Sequence, residues 1–270
     1  MSNLVSLARY TTFGIGGTAR VTVANGVEDL ISLCPSVVLG FGSNVLISDK
    51  GVRERVVINR AQSHEFSDCS LYAQSGCSLS LLAQKSSELG FSGLEWAYLL
   101  PSTVGGAVVM NAGALGKSIG DCVTSVGVLR NGKVEELSRS DCGFSYRKSC
   151  FNTTDVVLYA RFTLQRADRT QICERMDITK RMRSLQPKGK SAGCIYKTDG
   201  KSAGWYIDRA GLKNKRVGDI YVSPVHAGFF INAGRGTARD VLALMDYVEK
   251  TVQDKFGKTL EKEIKLIGEF

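Results

Sequence analysis

The sequence predicts an α+β fold of two or three subdomains, and three observations carry that prediction. Short β-rich runs fill the first half of the chain. The last hundred or so residues are helical in pattern and basic. Strand and helix patterns do not alternate regularly, which argues against a doubly wound parallel sheet. A chain of 270 residues, 43% of them hydrophobic, can bury one large core or two to three small ones. Twenty-nine glycines against four prolines suggest tight turns and close backbone approach rather than flexible linker. The pattern changes character near residues 58 and 166, so the expected divisions are 1–58, 59–166 and 167–270.

Taken in order, residues 20–24 alternate as a strand and 27–34 reads as a short helix. Residues 37–47 form an apolar run broken by a Gly-x-Gly, and 56–58 and 71–74 read as further strands. A helix is expected over 79–89, with Ser78 placed to cap it and Gly90 to end it. A hairpin over 123–137 turns at Asn131-Gly132, a pair suited to a tight two-residue loop. Residues 156–164 alternate, with Val156, Leu158, Ala160, Phe162 and Leu164 on one face. Residues 170–185 form a basic amphipathic helix. The clearest helix covers 238–256. Thr237 caps it, Val241, Leu244, Met245, Val248 and Val252 make a core stripe, and Gly257 ends it. The tail over 260–268 reads as a strand, with Glu261 and Glu263 on one face and Ile264 and Leu266 on the other.

The net charge of +9 is unevenly placed. Between residues 175 and 216 there are twelve Lys and Arg against three Asp, so that stretch carries the whole excess. Such a field suits a polyanionic small ligand or nucleic acid, or is a solvated basic face. Eight cysteines include no Cys-x-x-Cys, and His64 and His226 are the only histidines, so no metal site is expected. The length, the absence of a charged-then-apolar opening and the lack of a long apolar run point to reduced thiols, the cytoplasm and no membrane span.

Five stretches can carry chemistry. Gly40-Phe41-Gly42-Ser43-Asn44 lies between apolar strands, and successive N–H groups of such a loop can cradle phosphate. It lacks the third glycine and following helix of the Rossmann fingerprint, and a plain tight turn is the alternative. Pro101-Ser102-Thr103-Val104-Gly105-Gly106-Ala107 and, eight residues on, Asn111-Ala112-Gly113-Ala114 are costly in an ordinary strand. They suit main chain lying against a flat ring or a diphosphate, or simply close packing. In Phe144-Ser145-Tyr146-Arg147, the arginine can clamp a carboxylate or be an ordinary surface residue. Ser191-Ala192-Gly193-Cys194 puts a thiol in the basic stretch, as a proton donor or a small buried apolar group. The tail carboxylates matter only if the tail folds back into a site.

In this order the five stretches resemble the UDP-N-acetylenolpyruvoylglucosamine reductase family, also called UDP-N-acetylmuramate dehydrogenase or MurB. The resemblance runs from Tyr10-Thr11-Thr12-Phe13-Gly14-Ile15-Gly16-Gly17 to Ile267-Gly268-Glu269. Ala203-Gly204-Trp205-Tyr206-Ile207-Asp208-Arg209 and Val222-Ser223-Pro224-Val225-His226-Ala227 strengthen it. It implies a vanillyl-alcohol-oxidase/PCMH-type FAD-binding fold of two subdomains. A C-terminal α+β substrate-binding subdomain would follow, its tail returning to the active site, in the compact type II form. It implies non-covalent FAD on Gly40, Phe41, Gly42, Ser43 and Asn44 and on Thr103, Gly105, Gly106, Asn111, Ala112 and Gly113. Arg147, Cys194 and Glu263 take the catalytic places, and Tyr146, Arg183 and Lys197 take substrate-binding ones. NADPH is the implied co-substrate and a UDP-sugar the substrate, with hydride passing from flavin N5 to C3 and the Cys194 proton to C2. The basic stretch then serves diphosphates, and the expected protein is a cytoplasmic monomer of peptidoglycan precursor synthesis, with no nucleic-acid partner. Two departures touch the substrate side: Lys197-Thr198-Asp199 replaces the usual Lys-Asn-Pro, and His226-Ala227-Gly228 the usual His-Ala-Asn.

Two other readings use the same residues. Another sugar or alcohol oxidoreductase of the same fold would usually attach FAD through His or Cys in the first glycine-rich region, where no His lies between Arg20 and Asn59. A basic nucleic-acid-binding protein would show steeply salt-dependent affinity.

Overall fold

The structure, a computed structural model, describes residues 4–198 and 200–270; Asp199 of the Lys197-Thr198-Asp199 departure lies outside them. The chain divides into two compact units. One comprises Val21–Gly40 and Arg55–Ser184; the other comprises the stretch up to Arg20, Phe41–Glu54 and Leu185–Phe270. The α+β reading holds, since helices and mostly antiparallel strands are grouped rather than alternating.

In the strand-rich unit a five-stranded antiparallel sheet runs in the order Lys133–Ser138, Val123–Arg130, Val156–Thr163, Ser70–Gln74, His64–Ser67. Asn131 and Gly132 both take positive φ at the predicted hairpin turn, which matches the twist of the flanking strands. From Val21 on, Thr18–Ala24 pairs in parallel with Val56–Asn59, which pairs in turn with Val37–Leu39. Helix α1 (Val27–Leu33) packs Leu30 into a small core with Ala24, Val57, Leu129 and Leu158. Helix α2 (Leu79–Glu88) is capped by Ser78, whose hydroxyl accepts from Leu81 N–H, as its sequence predicts. It buries Leu79 and Leu82 with Val104, Val126 and Phe162 in the main core of this unit. Helix α3 (Val104–Met110) occupies the small-residue stretch, capped by Thr103. Helix α4 (Arg169–Ser184) buries only Ile172 and Thr179, so its expected apolar face is thin. Arg175 moors it instead, donating from Nη1 to Ser92 Oγ at 2.7 Å and Glu95 Oε1 at 3.2 Å.

In the other unit, α5 (Ala203–Arg209) and α6 (Ala238–Phe256) pack with Phe13, Ile195, Tyr196, Ile220 and Phe230. The ends of α6 are as predicted, with Thr237 and Asp240 forming a capping box and Gly257 in the left-handed region. Asp49 adds to the cap by accepting from Ala238 N–H at 2.8 Å and Arg239 N–H at 3.0 Å. The tail is a strand only over Lys265–Ile267, which pairs in parallel with Val45–Ile47. The expected apolar face fails in part: Ile264 is buried, but Leu266 is exposed. Residues 260–264 are instead committed to the segment around Ile195, described below.

Candidate active site

The strand-rich unit positions Gly40, Thr103, Gly105, Gly106, Asn111, Ala112, Gly113, Tyr146, Arg147 and Arg183. A β-carbon on Gly40 would collide with Thr103 Oγ1, so only glycine lets the loop lie flat on the cap of α3. The small residues of α3 serve the same closeness. Val104 N–H donates to Cys77 O at 2.9 Å, Gly105 N–H to Ser75 O at 2.8 Å, and Gly106 N–H to Thr103 Oγ1 at 3.3 Å. These opening amides therefore hold the helix to its own scaffold, and the exposed Gly106 is the part left facing out.

Asn111 closes α3 at φ +42° and joins two loops. Its Oδ1 accepts from Gly120 N–H at 3.1 Å, and its Nδ2 donates to Ser145 O at 2.8 Å. Ser145 and Lys148 exchange backbone hydrogen bonds of 3.0 and 3.1 Å, which puts Tyr146 and Arg147 at the tip of a tight turn. Arg147 sits at φ +54°, a conformation that costs a non-glycine residue about 1–3 kcal/mol and persists where the surroundings fix it. Here they do: Arg147 Nη1 donates to Gly113 O at 3.0 Å, and Ser149 Oγ donates to Val109 O at 2.7 Å. The Tyr146 ring is exposed and lies 5.4 Å from the Arg147 guanidinium carbon. Arg183 is half-buried in the last turn of α4. Thus the second glycine-rich stretch and the arginine turn, separate in sequence, form one hydrogen-bonded group.

The other unit positions Phe41, Gly42, Ser43, Asn44, Cys194, Lys197 and Glu263. Gly42 takes φ +59°, and a β-carbon there would overlap Tyr10 O and lie 2.9 Å from Thr11 Cα. Its carbonyl accepts from Thr12 N–H at 3.2 Å. Thr12 passes that contact on to the cysteine motif, donating from Oγ1 to Ser191 O at 2.7 Å and accepting Ser191 N–H at 3.1 Å. Phe41 and Ser43 are half-buried between these anchors. Asn44 reaches the tail: its Nδ2 donates to Glu263 O at 3.1 Å, and its own O accepts Lys265 N–H at 3.0 Å.

Cys194 is half-buried and bridges to Phe229. Glu263 N–H donates to Ile195 O at 2.8 Å, and Lys197 N–H donates to Glu261 O at 2.8 Å. The tail therefore lies beside the cysteine segment, with Glu263 one residue from level with Cys194. Lys197 Nζ forms an ion pair with Glu261, so part of its charge is already compensated.

His226 entered the sequence reading through the 222–227 stretch and the His226-Ala227-Gly228 departure, with no role of its own. Its Nδ1 accepts Gly228 N–H at 3.1 Å, and its ring meets Phe229 edge-on at 5.2 Å. Although the residue is exposed, desolvation of the packed ring edge, and then the charge of Lys213, hold its proton affinity below that of an ordinary imidazole.

Residues 31–138 match the family described as FAD binding domain, and residues 186–267 match that described as UDP-N-acetylenolpyruvoylglucosamine reductase, C-terminal domain. The UDP-N-acetylenolpyruvoylglucosamine reductase of Clostridium novyi is 38% identical over 100% of this chain and 92% of its own length. That of Thermus thermophilus is 39% identical over 96% of this chain and 97% of its own. The crystal structure of the Thermus caldophilus UDP-N-acetylenolpyruvylglucosamine reductase (MurB) matches with a TM-score of 0.90 at 37% identity, covering 98% of both chains. Likeness that runs the length of the chain in both sequence and structure places it in the UDP-N-acetylenolpyruvoylglucosamine reductase (MurB) family.

Proposed function

We propose that this chain catalyses the NADPH-dependent, FAD-mediated reduction of UDP-N-acetylenolpyruvoylglucosamine to UDP-N-acetylmuramate in peptidoglycan precursor synthesis. The observation that carries the proposal is the convergence of three motifs in one unit. The first glycine loop from Phe41 on, the Cys194 segment and the Glu263 tail are tied together through Thr12, Asn44 and Ile195.

The residues present fit FAD. The loop from Gly40 to Asn44 is drawn so close to its neighbours that a β-carbon is excluded at Gly40 and Gly42. Such a surface lets a diphosphate approach main chain. Thr103, Gly105, Gly106, Asn111, Ala112 and Gly113 form the second holding region. When bound, FAD supplies the hydride chemistry, taking reducing equivalents from NADPH and passing hydride to C3 of the enolpyruvyl group.

The chain's own residues handle charge and the proton. Hydride addition at C3 leaves negative charge on C2 and its carboxylate. The guanidinium of Arg147, always charged and forked, matches a carboxylate and stabilises that charge. Glu263 contributes only if its carboxyl carries a proton and donates a hydrogen bond, since an ionised carboxylate would repel the same charge. The Cys194 thiol gives its proton to C2, and the half-buried thiolate then recovers one from solvent. Tyr146, Arg183 and Lys197 take the substrate-binding places. The basic stretch between residues 175 and 216 serves the diphosphates of the sugar nucleotide and NADPH rather than nucleic acid. The working form is a cytoplasmic monomer; among the described residues no helix is long and apolar enough to cross a membrane.

The test is anaerobic mixing of the FAD-loaded protein with NADPH and then with the sugar nucleotide. The flavin colour should bleach and then return. Bleached flavin that the sugar nucleotide does not reoxidise would refute the function. Cys194→Ala should bleach normally and reoxidise far more slowly, and an unchanged reoxidation rate would remove Cys194 as the acid.

A further inference from the structure

Gly228 has no room for a side chain, and the proton-donor position is one of the things that fill the space. A β-carbon there would lie 2.9 Å from Cε1 and 3.1 Å from Nδ1 of His226, and 3.3 Å from Sγ of Cys194. Backbone conformation is not the reason for glycine, because Gly228 is not among the residues with positive φ. The two residues face each other across paired segments. Ile195 N–H donates to Gly228 O at 2.9 Å, and Cys194 bridges to Phe229. His226 closes the other side, its Nδ1 bound to the Gly228 N–H and its Cε1 3.1 Å from where a β-carbon on Gly204 would stand. The half-buried sulfur thus lies beside segments that these bonds hold together.

We propose that Gly228 is a positioning residue for Cys194, its missing side chain leaving room for a thiol, larger and on a longer bond than a hydroxyl, to hold the rotamer from which it delivers its proton. The proposal rests on the assignment of Cys194 as the acid. It makes the Gly228 departure and the cysteine one matched feature of this chain. A methyl group on Gly228 would press on the sulfur, which would have to give by a few tenths of an ångström. A hydroxyl in its place would keep farther from the same methyl. A misplacement of about an ångström can cost on the order of a hundredfold in rate, so a shift of a few tenths is expected to cost roughly tenfold.

The experiment is a double-mutant cycle on the FAD-loaded protein, comparing Gly228→Ala in the natural chain and in the Cys194→Ser background. Each half-reaction is followed by flavin absorbance. Bleaching by NADPH should stay within about twofold in all four proteins, because the thiol takes no part in it. Reoxidation by UDP-N-acetylenolpyruvoylglucosamine should slow by roughly tenfold or more when Gly228→Ala is made beside Cys194, and by less than about threefold in the Cys194→Ser background. If Gly228→Ala holds FAD only in the Cys194→Ser background, that coupling supports the proposal in the same way. Equal slowing in both backgrounds, failure to hold FAD in both, or unchanged reoxidation beside Cys194 overturns it. An unsubstituted protein that the sugar nucleotide never reoxidises would refute the function itself, and the proposal with it.

Discussion

Replacing Gly42 by alanine tests how the first glycine loop is built. The residue sits at φ +59°, where an L side chain costs about 1–2 kcal/mol. The new β-carbon would also overlap Tyr10 O and crowd Thr11 Cα at 2.9 Å. Both are backbone atoms, so relief requires moving the 10–12 segment away. That movement breaks the 3.2 Å bond from Thr12 N–H to Gly42 O, worth about 1 kcal/mol. The sum is about 2–3 kcal/mol. If it falls on folding, the midpoint of thermal unfolding should drop by about 4–12 °C for a chain of this size. If the loop relaxes only when FAD is absent, the same energy weakens FAD binding by about 30- to 150-fold. Titrating the apoprotein with FAD by fluorescence quenching, beside thermal unfolding followed by circular dichroism, separates the two. A Gly42→Ala protein that binds FAD within threefold of the original and unfolds within 1 °C of it would refute the reasoning.

Arg147→Lys keeps the charge but loses the fork and the bond to Gly113 O, so flavin reduction should be unchanged while reoxidation by the sugar nucleotide slows about 10- to 100-fold; equal effects on both half-reactions would count against a substrate role. Asn44→Ala removes the Nδ2 bond to Glu263 O and should cost about 1 kcal/mol, read as faster amide exchange at Glu263 and Lys265. Unchanged exchange there would show that Asn44 does not hold the tail. Asp155 is almost fully buried and takes two bonds from Arg130, at 3.0 and 2.9 Å. Burial alone would raise its carboxyl, but the Arg130 bonds and the Asn152 N–H outweigh it and hold it below the usual carboxylate range. A lowered native value means the stabilisation is complete above the unfolded value of about 3.9 and is lost as pH falls through the native one. Asp155→Ala should therefore cost about 3 kcal/mol in urea unfolding at pH 7 and clearly less near pH 3; a pH-independent difference would remove the ion pair as its source.

What the sequence made legible follows from how local each signal is. Helix α6 was readable to the residue because Thr237, Asp240 and Gly257 act within a turn of its ends. The hairpin at Asn131-Gly132 was readable for the same reason. Helix α3 was not. Gly105 and Gly106 lower helix propensity, and what holds them helical is the Thr103 cap together with carbonyls of Ser75 and Cys77 some thirty residues earlier. Helix α5 was too short to show a period. The tail misled because its alternation is that of a strand, whereas residues 260–264 bond to the Ile195 segment and only Lys265–Ile267 joins a strand, more than two hundred residues away in sequence.

The candidate site divides along the same line. Arg147, Cys194 and Glu263 each had an ordinary reading when taken alone, and only their order with the glycine-rich stretches made them stand out. The structure adds what order cannot contain. Arg147 has a strained backbone held by Gly113 and, through Ser145, by Asn111. Asn44, read as a phosphate ligand, also donates to the backbone carbonyl of Glu263, so the proposed cofactor loop and the tail with the proposed catalytic carboxyl share one side chain. A defect at Asn44 must then appear in both functions. A change at Gly228 should act mainly through Cys194, because the side chains beside its missing β-carbon are His226 and Cys194, and neither lies in the first glycine-rich loop.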